Sequence, residues 1–436
     1  MIDGFLSQPV AGKAVLEIEG LIRTALFRSG AEIVGYLLQA MADRVDAAYQ
    51  PPARETFKAR EPIRVQCLFG TFTLWRDYYY SPVRGGHYPT DDVLGLEVGH
   101  TPALVRLACL EGADEVGFDK AERHLLETGG IRLDSRQIHR LVKRVGPVSK
   151  AWQHREYKIG QENRTAVPIM YVSADGTGIP MRKEELAGRN GKQPDGTAKT
   201  RQVYLGCVFT QHGVDEKGRP VRDWQSTSYV SALDSSDLFG PILRAEALRR
   251  GLAYAGQVVL LMDGASGLEN VGLINFKDAT QIVDFYHAME HAGKVLLALL
   301  GSKDHPDYKR RFGQWAKRLL KNGVASLITN VREECAADPR AEDVEKELHY
   351  FVGNVHRMQY GTFRRRGYFI GSGVIEAGCK TVIGGRCKQS GMKWGKPGAE
   401  HILSLRCINA SQRGDDFWNH RLDRLAARHT SIRRAA

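Results

Sequence analysis

Residues 167–178, VPIMYVSADGTG, and residues 257–266, QVVLLMDGAS, are built alike. Each is a short apolar run that ends in Asp-Gly, Asp175-Gly176 in the first and Asp263-Gly264 in the second. Runs apolar on both faces predict strands buried within an α/β sheet. Between them lie strand-like segments at 202–210 and 226–233 and an amphipathic helix over 236–251. A further strand is expected at 279–285, and residues 286–360 read as almost wholly helical. Strands, a crossover helix and more strands predict an α/β layered domain that carries a helical insertion.

The whole chain suits that reading. It has 436 residues, 42% hydrophobic and 26% charged, which is ordinary for a globular protein and too apolar for a disordered one. No stretch approaches the ~18 apolar residues of a membrane span. The start, Met1-Ile2-Asp3-Gly4, lacks the basic-then-apolar layout of a secretory signal. The cysteines, at 67, 109, 207, 335, 379, 387 and 407, are odd in number and form no CxxC. A disulfide framework and a zinc ribbon are both disfavoured, and a reducing cytoplasm is expected. The net charge is +12, and residues 364–436 hold 15 Lys and Arg against 5 Asp and Glu. Such a concentration suits a phosphate backbone, where each neutralised phosphate releases counterions.

Upstream, residues 12–50 read as helix stopped by Pro51-Pro52, and residues 62–80 as a β-hairpin turning at Gly70. Residues 118–146 read as helix, turn, helix, with Thr128-Gly129-Gly130 as the break and Asp134 or Ser135 as the second cap. Ile138, Leu141, Val142 and Val145 form one stripe of that second helix, and Arg136, Arg140, Lys143 and Arg144 lie opposite. A basic helix after a glycine turn is how a helix-turn-helix reads DNA. A solvated face on a packed helix gives the same pattern.

Three acids could carry chemistry. A strand end is where an open α/β sheet places its ligands, and the Gly after Asp175 and after Asp263 would let the chain turn and leave each carboxylate exposed. Either Asp alone is an ordinary turn former. The third, Glu376, follows Gly371 and Gly373 and falls in the first turns of a helix, where a carboxylate also simply favours the helix dipole. Brought together, three carboxylates could hold two divalent cations through oxygen ligands and clamp an in-line phosphoryl transfer. Mg²⁺ fits, with Mn²⁺ as a substitute.

These segments resemble the acidic triad of DDE transposases from bacterial insertion sequences, especially the Kra-type branch related to Mutator-like elements. The matching stretches are YVSADGTGIP, LLMDGASGLEN, IVDFYHAMEH and GYFIGSGVIEAGCK with RCKQSGMKW, between about residues 165 and 420. The resemblance implies a ribonuclease-H-like catalytic core with a helical insertion before the Glu. The intervals of 88 and 113 residues between the three acids agree with it. It also implies metal-dependent cleavage at the ends of an insertion sequence, joining of the freed 3′-hydroxyl to target DNA, and a homodimer or higher oligomer on double-stranded DNA near the nucleoid. Asp284 and His287 match the DxxH signature of such enzymes, which implies a role in organising the site. The Cys-rich knuckle common in the family is missing from YYYSPVRGGHYPTDD, residues 78–92, so no N-terminal zinc site is expected.

Other readings compete. His287, Glu290 and His291 fit the HxxEH pattern of inverted zinc peptidases, with two His one helical turn apart. A nuclease on the same core would cut without joining, and a non-catalytic DNA-binding descendant would have lost an acid. Arg386, Lys388, Lys393 and Trp394 form a basic segment near Glu376; the cations could grip phosphates and the indole could stack on an unpaired base. The expected organisation is an N-terminal helical and hairpin region to 117, a helix-turn-helix-like segment at 118–164, the first part of the core at 165–285, a helical insertion at 286–360, and the rest of the core with the basic C-terminus at 361–436.

Overall fold

The computed structural model describes residues 12–83, 85–160, 164–191, 193, 196–264 and 266–429. The described residues form a mixed α/β core and a mostly helical N-terminal region. They group into two units, one of residues 1–148 and 413–436, the other of 149–412. Among them no helix is long and apolar enough to cross a membrane.

In the first unit, α1 (Gly12–Ala48) lies on a three-stranded sheet of β1 (Thr56–Gln66), β2 (Thr71–Ser81) and β3 (Gly85–His87), all antiparallel. Ala42, Val65, Leu74 and Leu96 form its core. Short α2 (Pro89–Val93) and α3 (Pro102–Asp114) come next, then α4 (Phe118–Gly129) and α5 (Ser135–Gln153). Gly130 ends α4 at φ +65°, a left-handed turn that glycine adopts freely. Asp134 and Gln137 cap α5 reciprocally: Gln137 N–H donates to Asp134 Oδ1 at 2.8 Å, and Asp134 N–H donates to Gln137 Oε1 at 3.1 Å. The stripe of Ile138, Leu141, Val142 and Val145 is buried. The helix over Gly414–Ala426 completes this unit.

The second unit is built on a six-stranded sheet. Its centre is β4 (Val167–Pro180). On one side β5 (Thr200–Val214) runs antiparallel, pairing in turn with β6 (Pro220–Arg222) and β7 (Ser228–Leu233). On the other side β8 (Ala255–Met262) and β9 (Thr280–Val283) add in parallel. Parallel neighbours need crossovers, supplied by α6 (Ser236–Arg249) before β8 and α7 (Ser266–Asn275) before β9. Phe239 and Leu243 of α6 seal one sheet face over Met170, Val172, Val208 and Leu260.

Two strand expectations need correction. β4 does not stop at Asp175; it continues to Pro180 because β5 pairs with it throughout, Asp175 opposite Leu205 and Gly178 opposite Gln202. Gly176 therefore makes no turn. Its lack of a side chain matters for another reason, since a Cβ there would lie 2.1 Å from the Gln202 amide nitrogen. At the other end β9 stops at Val283, because Asp284 caps the next helix.

After β9 come α8 (Phe285–Leu300), α9 (Tyr308–Leu319), α10 (Val324–Cys335) and α11 (Ala341–Asn354), packed α8 on α9 and α11, and α10 on α9 and α11. A short α12 (Tyr360–Arg365) leads to α13 (Gly373–Gly378). That helix runs on through a π-helical turn, Cys379–Gly384, into Gly385–Cys387. Then α14 (Lys396–Ala410) packs on β7. All seven cysteines are buried and free. Burial pushes the thiols of Cys109, Cys207 and Cys387 up to about 12, the behaviour of small hydrophobes rather than nucleophiles.

Candidate active site

The parallel pair of β4 and β8 ends with Ala174 beside Met262. Asp175 is the next residue of β4 and Asp263 the first residue after β8, so each acid directly follows the last position at which the two strands pair. Past Met262 the chain turns away through Gly264, at φ +83°. Asp284 begins α8 one residue after the neighbouring strand β9, with its N–H bonded to Met262 O at 2.8 Å. Three sequence-distant acids thus sit at the same edge of the sheet.

Glu376 arrives on α13, which packs against β4 and β5. Gly378 lets it come close, since a Cβ there would be 2.7 Å from the Tyr229 ring. Asp175 and Glu376 then line one cleft of about 480 Å³ together with Thr177, His287, Lys380 and Lys388. Cys379 forms part of its wall; burial first, then the neighbouring Asp175 carboxylate, holds its thiol well above the ordinary range.

His287 and Glu376 of the cleft wall converge with Asp284, which does not itself line the cleft, one ligand atom from each lying within 4.8 Å of the others. Two carboxylates and an imidazole can bind a divalent metal. Asp284 is fully buried. One of its oxygens accepts the His287 N–H at 2.7 Å, capping α8, and the other accepts the Ser372 N–H. Ser372 Oγ in turn donates to Glu376 Oε1 at 2.8 Å. Neither Asp175 nor Asp263 belongs to that three-residue group. The backbone oxygen of Asp263 accepts the Tyr350 hydroxyl at 2.7 Å. Burial, then the charges of Asp263 and Asp284, raises the Tyr350 phenol well above its usual value.

His291 does not pair with His287 over a shared ligand site. Its ring stacks on Tyr350 at 3.7 Å between centroids, and burial first, then Lys294, holds its pKa below the usual value. A second acid and histidine group capable of binding a divalent metal lies in the first unit: Glu111 on α3 and Glu115 just past its end, with His124 of α4. There the Glu111 carboxylate accepts from His124 Nδ1 at 2.6 Å and raises its pKa. The i, i+4 spacing of Glu111 and Glu115 is the signal for this group in the sequence, and none of the expectations above includes it.

The expected DNA-contacting residues divide. Arg136, Arg140 and Lys143 are exposed on α5. Arg144 is exposed in part, but its guanidinium is engaged by Glu97, which also pairs with buried Arg421. Lys388 and Lys393 are exposed, and Lys388 Nζ donates to Thr177 Oγ1. Arg386 cannot take the role expected of it: it is 1% exposed, its guanidinium 5.2 Å from the Trp394 ring centroid and its Nη1 3.3 Å from Met392 Sδ. Trp394 is half-buried rather than presented for stacking, and its indole N–H donates to Cys387 O at 3.0 Å. Some of the other C-terminal arginines are partnered too. Arg406 donates to Val382 O at 2.5 Å and to Thr381 O at 2.6 Å, and Arg413 and Arg428 pair with Asp416 and Asp92. Ser372, Thr177 and Tyr350 carry no signal in the sequence, because their roles depend on contacts across 87 residues or more.

Residues 12–193 match the model of a family described as "Uncharacterised protein family (UPF0236)". None of the curated proteins matches the sequence. Among solved structures, the chain is similar to the Drosophila P element transposase strand transfer complex, at 12% identity and a TM-score of 0.28, over 75% of this chain and 81% of that one.

Proposed function

We propose that this chain is a DDE-type DNA transposase: a metal-dependent phosphoryl-transfer enzyme on a ribonuclease-H-like core that cleaves the ends of an insertion sequence and joins the 3′-hydroxyl to target DNA. The observation that carries the reading is that Asp175 and Glu376, 201 residues apart, line one cleft with Lys388 at the end of a parallel strand pair whose next residue is Asp263. The sheet supports it too, with antiparallel strands on one side of β4 and parallel ones on the other.

In this reading Asp175, Asp263 and Glu376 hold the metal ions, Mg²⁺ or Mn²⁺. The oxygen donors suit either ion, and the imidazole of His287, grouped with Glu376 and Asp284, suits Mn²⁺ better. Such ions, when bound, polarise a phosphoryl oxygen. The protein's part is placement. Asp284 fixes the start of α8 and, through Ser372, the rotamer of Glu376. Lys388, steadied by Thr177, brings a positive charge to the cleft mouth, where it offsets the charge of an incoming phosphodiester. Arg136, Arg140 and Lys143 on α5 offer a separate contact to duplex DNA. Two element ends must be paired, so a dimer or larger oligomer is part of the proposal.

The peptidase reading loses ground, because His287 keeps company with Asp284 and Glu376 while His291 is stacked on Tyr350. A nuclease that cuts without joining shares every feature above. The test is a nicking and strand-transfer assay on DNA carrying the element's ends, with Mg²⁺ or Mn²⁺. Asp175→Asn and Glu376→Gln should abolish nicking and leave DNA binding intact; nicking that survives both changes would overturn the assignment, and nicking without joined products would favour the nuclease.

A further inference from the structure

Next to the acid cleft lies a larger groove of about 1060 Å³. Resting on the function proposed above, we infer that this groove is the track of a single nucleic-acid strand leading into the cleft. Lys183, Lys199, Lys388 and Lys393 line it, and among the described residues no Asp or Glu does. They come from three places in the chain: the segment after β4, the segment before β5, and the segment after the π-helical turn.

Charge is the first argument. None of the four lysines forms an ion pair among the described residues, and Lys183, Lys199 and Lys393 are exposed. Several other cations of the same unit are matched, as in Arg311 with Glu334, Arg332 with Glu345 and Arg201 with Asp234. Even Arg189, at the rim of the groove, lies 3.4 Å from Asp234. Four unmatched ammonium groups facing one concavity repel one another unless an anion lies between them.

Continuity is the second. Lys388 belongs to the groove and to the acid cleft alike, so a chain of phosphates lying in the groove ends at Asp175 and Glu376. The walls are also tied to the sheet. Trp394 N–H donates to Pro180 O at 3.1 Å and Arg182 N–H donates to Trp394 O at 2.9 Å, which extends the β4 edge with the segment that bears Lys388 and Lys393. This gives the half-buried Trp394 a purpose, as a brace for the basic wall rather than a stacking platform.

Size and lining choose the form of the ligand. Pockets that enclose a drug-sized molecule measure about 300–1,000 Å³, so the groove has room for a few nucleotides of one strand and not for a duplex. Met181 and Met392 line it and, among the described residues, no aromatic ring does, so contact falls on phosphate and sugar and sequence preference is weak.

The experiment is fluorescence anisotropy with a short labelled single-stranded DNA, in EDTA so that no metal contributes, across a range of salt. The variant Lys183→Glu/Lys199→Glu/Lys393→Glu should bind about tenfold or more weakly, and the slope of log affinity against log salt should flatten by about 2, at ~0.7 per phosphate contact. A charge-matched control, Lys277→Glu/Lys303→Glu/Lys321→Glu, should stay within about twofold of the parent chain. Unchanged binding by the groove variant, an equal loss in the control, or no binding by the parent chain would each overturn the groove. Binding through the groove by a chain that never cuts DNA would leave the groove standing and overturn the transposase reading.

Discussion

Asp284 and Ser372 stand 88 residues apart and are joined by a hydrogen bond from the Ser372 backbone N–H to a carboxylate that is fully buried. The other oxygen of that carboxylate takes the His287 N–H at 2.7 Å. Asp284→Asn tests the arrangement, because an amide has only one oxygen. Whichever backbone N–H it serves, the other meets an NH₂ group. The variant should lose about 1–3 kcal/mol, the cost of a buried unsatisfied group, although Asn is by itself a good helix cap. Urea denaturation measures it; a loss below a few tenths of a kcal/mol would show that the two N–H groups find other partners.

Ser372→Ala removes the hydroxyl held 2.8 Å from Glu376 Oε1 and leaves the backbone link to Asp284 in place. Glu376 then samples rotamers away from the cleft. On the proposed function, the turnover rate for nicking should fall roughly tenfold or more, since small displacements at reacting groups are costly. KM for DNA should not move, and stability should change by less than about 1 kcal/mol. Ser372→Thr should restore most of the rate. A rise in KM alone would remove Ser372 from the positioning role.

Metal dependence has a direction. Chelation should abolish nicking, and Mn²⁺ should bind more tightly than Mg²⁺ because one candidate donor is an imidazole nitrogen. His287→Ala should narrow that difference in a calorimetric titration. Asp263→Asn should lower nicking by about a hundredfold or more while DNA binding persists. Equal affinity of the parent chain for both ions would show that His287 makes no contact with the metal.

His154 supplies a pH test away from the cleft. Burial lowers its pKa from the ordinary 6.5, against the opposing effect of its 2.8 Å contact with Ser231 O, to which the neutral ring donates through Nε2. In the unfolded chain it takes a proton near pH 6.5, and in the fold it resists. Between the two values the unfolded state binds more protons, so stability falls as pH drops below about 6.5. Melting temperatures of His154→Gln should decline less steeply than those of the parent chain between pH 7.5 and 5.5.

The sheet was legible because its strands announce themselves. Residues 258–262 are apolar without interruption, as a strand covered on both faces is. The helices after β9 and the capped second helix at Ser135 were equally plain. Strand ends were harder. Asp175-Gly176 reads as the end of β4 because Asp-Gly is a turn signal, yet pairing with β5 carries the strand on to Pro180. Charge misleads for a related reason. Arg386, Arg406 and Arg421 look like surface cations in a string of letters, but each is drawn in to aromatic, carbonyl or carboxylate partners that the local sequence does not reveal. Ser372 was invisible because a serine four residues before a glutamate is ordinary at a helix start and its link to distant Asp284 runs through the backbone N–H.

The π-helical turn at Cys379–Gly384 has a geometric effect on the residues beyond it. In an unbroken α-helix Lys388 would point about 120° around the axis from Glu376, at 100° per residue over twelve residues. The wider turn absorbs roughly one residue's worth of that rotation, and both side chains open onto the same cleft. Acid and ammonium are thus phased by an interval rather than by their neighbours' identities. Deleting a single residue from 379–384 would set the two eleven residues apart, a net rotation of about 20°, so a regular helix would still hold the lysine in phase with the acid. Winding the turn into α-helix with no residue lost would swing it out, a lesion that no comparison of residue types would flag.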